Sequence, residues 1–82
     1  MNLDWINVYR IIDEGEHVVI AVNNEVWLHH DLSDGNIQEE IVVRMMQKAF
    51  ENSGRRVSAF FHPSREEEGD LERTLEEIRN QE

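Results

Sequence analysis

The chain has 82 residues, no cysteine and a formal net charge of −10, with 18 acidic residues against 8 basic ones. That length makes one small domain, residues 1–82, which buries roughly 60% of its unfolded surface, and at 39% apolar residues its core is thin. Without cysteine there is no disulfide framework, thiol nucleophile or cysteine-based zinc site, and so acidic a surface repels nucleic acid and anionic membrane while attracting basic proteins.

The opening MNLDWINVYR has neither the basic nor the apolar region of a signal peptide. No apolar run approaches the ~20 residues of a membrane span. Both readings point to a cytoplasmic protein. Seven of the eight basic residues are arginine, and Lys48 is the one lysine.

Residues 5–12 (WINVYRII) are rich in β-branched and aromatic types and read as a strand. Asp13, Glu14 and Gly15 form a turn, with Gly15 in the left-handed position. Residues 16–22 (EHVVIAV) are a second strand, Asn23 and Asn24 a two-residue hairpin loop, and residues 25–31 (EVWLHHD) a third strand. Together they predict a three-stranded antiparallel meander. Asn36 followed by Glu39 resembles a capping box and opens a helix over residues 37–52. Ile37, Ile41, Val42, Met45, Met46, Ala49 and Phe50 recur there at helical spacing as one broad apolar face. Gly54 stands where a left-handed C-cap belongs.

Residues 55–62 (RRVSAFFH) read as a fourth strand stopped by Pro63. Ser64 with Glu67 makes a second capping box, opening an acidic C-terminal helix over residues 64–82 that Gly69 weakens and Asp70 can restart. The expected fold is α+β: a β-β-β-α-β-α domain with a mainly antiparallel four-stranded sheet, one main helix on one face and this short acidic helix.

If Asn23 and Asn24 form a two-residue loop, residues summing to 47 lie opposite one another. Val19, Ala21, Val26 and Leu28 then share one face, and Val18, Ile20, Val22 and Trp27 the other. Both faces are apolar, unlike a sheet with one solvated side, so apolar surface remains for a second chain or a partner. The same register puts His17 opposite His30, close enough to share a metal ion, with His29 pointing away. A third ligand is not fixed, and the spacing matches neither a metalloprotease nor a structural zinc motif. Two rim histidines are the simpler description, and no cofactor is expected.

Nothing points to catalysis. Every serine sits where a cap, turn or strand explains it, and no nucleophile elbow, phosphate loop or dinucleotide fingerprint is present. Arg44, Lys48, Arg55 and Arg56 form one basic group, expected to complement the helix dipole and to pair with Glu40 and Glu51.

The tail concentrates the charge. Residues 64–82 hold eight carboxylates against three arginines, a net −5. Glu66, Glu67, Glu68, Asp70, Glu72, Glu76 and Glu77 are the candidate partner-binding residues. Trp27 with the Leu71, Leu75 and Ile78 stripe is the candidate apolar contact for a partner or a homodimer. In size, charge and lack of catalytic motif the chain resembles the phage-encoded anti-CRISPR and DNA-mimic proteins, a likeness of type in which no motif is shared. That likeness implies a non-enzymatic inhibitor, active in a host cytoplasm, that blocks a basic nucleic-acid-binding protein. A regulatory or accessory dimer, antitoxin-like, and a small metal-binding protein using His17 and His30 are the two alternatives.

Overall fold

The computed structural model describes residues 3–80. The elements are β1 (Leu3–Ile12), β2 (Glu16–Val22), β3 (Glu25–Asp31), a 3-10 turn at Leu32–Asp34, α1 (Glu39–Asn52), β4 (Arg56–Phe61) and α2 (Asp70–Arg79). They follow the β-β-β-α-β-α order read from the sequence. The four strands form one sheet in the order β3-β2-β1-β4. Antiparallel pairs join β1 to β2 and β2 to β3, whereas β1 and β4 run parallel. Connectivity explains the parallel pair: α1 returns the chain from the end of β3 to the other end of the sheet, so β4 leaves in the same direction as β3.

The two-sided apolar strands are explained by helices on both faces. On one face Ile6, Val8, Val18, Ile20 and Val22 lie beneath Val43 and Phe50 of α1. On the other, Tyr9, Ile11, Val19 and Ala21 lie beneath Ile78 of α2, with Leu71 and Leu75 partly buried beside them. Two arginines tie these layers together. Arg10 on β1 donates to both Glu39 oxygens at 2.9 and 3.1 Å and to Glu16 at 3.1 Å, fastening the start of α1. Arg65 donates to Thr74 and Glu77, each at 2.9 Å, and lies over the Tyr9 ring, fastening α2.

Several expectations are corrected. The buried side of α1 is centred on Val43 and Phe50, with Val42 and Met46 half-buried, while Ile41, Met45 and Ala49 face solvent. The apolar arc of this helix is wider than the strip of sheet beneath it. The helix starts at Glu39, and no side chain caps it. Ile37 instead packs against the α1-side core, which holds it outside the helix. Gly54 does take a positive φ of 79° just past the helix end.

The helix expected from Ser64 does not form there. His62 N–H donates to Val8 O and Arg65 N–H to Arg10 O, while Arg65 O accepts from Ile12 N–H. This stretch therefore continues along β1 past the Pro63 break, and α2 begins only at Asp70. Gly69, at φ 86°, precedes it. The α2 cap comes from far along the chain, as Asp13 Oδ2 accepts the Leu71 N–H at 3.2 Å. In the first turn Glu14 shares the left-handed region with Gly15 (φ 48° and 118°).

Candidate functional site

The histidines depend on one irregularity. Val22 pairs with Glu25 and Ala21 with Val26, as a two-residue loop requires, but the register then shifts and Ile20 faces Leu28. Trp27 is the extra residue of a β-bulge, which puts two side chains on one face and reverses the alternation beyond it. Trp27 meets Phe50 edge-on at 5.6 Å and Leu28 packs on the same α1-side core. The expected pairing of His17 with His30 is therefore overturned. His17 faces Asp31, and its Nδ1 lies 3.2 Å from Nε2 of His29, the neighbour expected to point away. His30 turns to the α1 side and bonds Gly35 O.

His17 is buried. The Gly15 backbone sits close by, where a Cβ would lie 3.6 Å from His17 Nε2. Burial, and then the neighbouring His17, hold the His29 pKa below the ordinary histidine value. Asp31 accepts the Ser33 N–H at 2.9 Å, which lowers its own pKa and caps the 3-10 turn. Two facing nitrogens at hydrogen-bond distance can share one hydrogen between them but cannot both carry one. Among the described residues no group of three or more His, Cys, Asp or Glu is arranged to hold a metal ion.

The acidic residues divide by partner. Asp70 accepts the Glu67 N–H and the Arg73 guanidinium, and these bonds hold its pKa down. Glu77 is taken by Arg65, and Glu67 lies 4.0 Å from Arg73. Glu66, Glu68, Glu72 and Glu76 are exposed and make no ion pair among the described residues. Glu68 and Glu72 line a shallow groove with Leu71 and Leu75, and Asp13 and Glu14 from the β1–β2 turn close its other wall. Those two turn residues were invisible as site residues in the sequence, because 55 and 54 positions separate them from Glu68. The Asp13 cap on Leu71 is what joins the two walls.

The apolar stripe is only partly a surface. Ile78 is buried within the protomer and Leu71 and Leu75 are half-covered by the sheet, so Ile78 is not available to a partner. Trp27 remains half-exposed.

The basic group is distributed differently from the dipole-and-pairing expectation. Arg55 faces both oxygens of buried Asp4, at 2.9 Å from Nη2 and 2.7 Å from Nε, and lies over the Phe50 ring. The Asn23 amide, then Arg55, hold Asp4 below the usual carboxylate pKa against the opposing effect of burial. Arg44, Lys48 and Arg56 make no ion pair among the described residues.

No helix among the described residues is long and apolar enough to cross a membrane. No family model matches the chain, and no curated protein or solved structure is significantly similar to it.

Proposed function

We propose that this chain is a non-enzymatic protein-binding protein. Its acidic groove engages a basic surface, of the kind that nucleic-acid-handling proteins present, and so inhibits the partner or mimics its nucleic acid. The observation that carries this reading is the groove itself. Four carboxylates from two distant segments, Asp13 and Glu14 opposite Glu68 and Glu72, flank the half-buried Leu71 and Leu75. Lysine and arginine side chains combine an apolar stem with a charged head, and a groove with an apolar floor and acidic walls suits both parts. The carboxylates steer association and the leucines add contact area.

The test is charge reversal. Glu68→Lys with Glu72→Lys and Glu76→Lys should slow association with a basic DNA-binding domain and flatten its dependence on salt, because steering by exposed charge is screened over ~10 Å at 0.1 M salt. A folded triple variant that associates as fast as the parent across a salt series would remove the support for this reading.

A further inference from the structure

The sheet has two outer strands, and they differ in how their free edges are protected. Proteins blunt sheet edges with bulges, charges, proline or covering elements, because an open edge pairs with any strand that reaches it. The β3 edge is blunted. It carries the Trp27 bulge and the polar or charged run of Glu25, His29, His30 and Asp31. Among the described residues the β4 edge has only a single charge, Arg56, and none of the other devices. Arg56–Phe61 (RVSAFF) pairs with β1 over six residues without a register shift, and contains one charge and no proline.

The open hydrogen-bonding groups on β4 can be assigned. His62 N–H donates to Val8 on β1. Backbone groups alternate sides along a strand, so those of Ser58 and Phe60 also face β1. The N–H and C=O of Val57, Ala59 and Phe61 therefore point away from the sheet. The surface beside this edge carries exposed apolar side chains. On the face that carries α2, Leu3, Trp5 and Asn7 of β1 lie in register with Arg56, Ser58 and Phe60 of β4. The helix covers Tyr9, Ile11, Val19 and Ala21 instead. Leu3, Trp5 and Phe60 are left 40%, 45% and 50% exposed, and Phe61 is 48% exposed at the strand end.

We propose that β4 pairs antiparallel with β4 of a second copy of this chain, joining two four-stranded sheets into one continuous eight-stranded sheet about a two-fold axis. Charge favours a second copy as the occupant. In a chain of net −10, β4 carries no carboxylate, and Asp4, the one acid in the first half of β1, is neutralised by Arg55. Two such copies can meet here without acid facing acid. An antiparallel arrangement also sends the two Arg56 side chains to opposite ends of the interface.

Area sets the strength of the contact. Full burial of an aromatic side chain removes roughly 150–250 Å². Three half-exposed aromatics and Leu3 therefore offer on the order of 400 Å² per copy. With the open backbone edge of β4 this is the contact of a weak, concentration-dependent dimer, below the roughly 800 Å² per partner of a standard interface. A two-fold contact uses the same patch twice and closes, so assembly stops at two. The proposal is independent of the acidic groove, which lies along α2 and the β1–β2 turn.

The experiment is sedimentation of the whole chain over a concentration series, combined with hydrogen exchange at its two ends. Wild-type protein should sediment towards twice 9.7 kDa as its concentration rises. The amides of Val57, Ala59 and Phe61 should gain at least tenfold protection between the dilute and the concentrated sample, while those on the outer edge of β3 should not change. Phe60→Lys, an exposed substitution that leaves the core untouched, should shift the protein to monomer with its circular dichroism unchanged. Ala59→Pro removes an outward N–H and should do the same. A wild-type monomer throughout the series, or a dimer whose β4 amides exchange equally at both concentrations, would overturn the proposal. The exchange result needs no variant, so it decides the matter even if Ala59→Pro fails to fold.

Discussion

Nδ1 of His17 lies 3.2 Å from Nε2 of His29, on the α2-facing side of the β2–β3 pair. The contact exists only because Trp27 is an extra residue. Without that bulge, His29 would turn to the opposite face. The pair holds the end of β3 against β2 as long as one of the facing nitrogens is free of a proton.

Acidification should therefore weaken the fold well before the carboxylates titrate. The His29 pKa is lowered chiefly by burial and then by His17, and the His62 pKa by burial and then by Arg65. An imidazole with a folded pKa below its unfolded value takes up a proton on unfolding. Its contribution to stability is full above the unfolded pKa of about 6.5 and is lost as pH falls through that value towards the folded pKa. Denaturant midpoints should fall between about pH 7.5 and 5.5, and His29→Gln with His62→Gln should flatten that slope. A second loss should follow below about pH 4, as the lowered pKa values of Asp4, Asp31 and Asp70 come into range.

How much of this could be read in the chain depended on the distance over which each signal acts. Strand and helix identities came from local periodicity, and so did the two-sided apolar character of the β2–β3 pair, which pointed to apolar surface left for a second chain or a partner rather than to a helix on each face. The bulge carries no such signal. Asn23 and Asn24 specify a loop, and the loop specifies the register only as far as Ala21 and Val26. The slip at Trp27 follows from packing: Trp27 reaches Phe50, and Leu28 reaches the core below it. The orientation of α1 was equally ambiguous, because an arc from Ile41 round to Phe50 is apolar and the sequence holds no mark of which part meets the sheet. The acidic residues of the tail were legible as a group, but the opposite wall of the groove depends on a tertiary contact between Asp13 and Leu71.

The two helices should respond differently to truncation. Ile78 is fully enclosed between α2 and the sheet, and Ile78→Ala should cost about 2–5 kcal/mol. Met45, at 68% exposure, belongs to the arc of α1 that meets no sheet. Met45→Ser should change stability by no more than ~0.5 kcal/mol. Denaturation of the two variants side by side checks the assignment of the core.

The long-range cap on α2 makes a separate prediction. Asp13→Ala should cost about 1 kcal/mol, as loss of a helix cap does. Hydrogen exchange should locate the loss at the first turn of α2, beginning with the Leu71 amide that Asp13 accepts. Asp13→Asn, which keeps an accepting oxygen, should restore most of it.

The most direct measurement of the central claim is a chemical-shift titration of the folded chain with an amphipathic peptide of alternating lysine and leucine, repeated at low and high salt. The acidic-groove account predicts saturable shifts concentrated at Asp13, Glu14, Glu68, Leu71, Glu72 and Leu75, weakening as salt is raised and lost in the Glu68→Lys, Glu72→Lys, Glu76→Lys variant. Shifts of equal size at every exposed carboxylate, or saturable binding that survives the triple charge reversal, would contradict it.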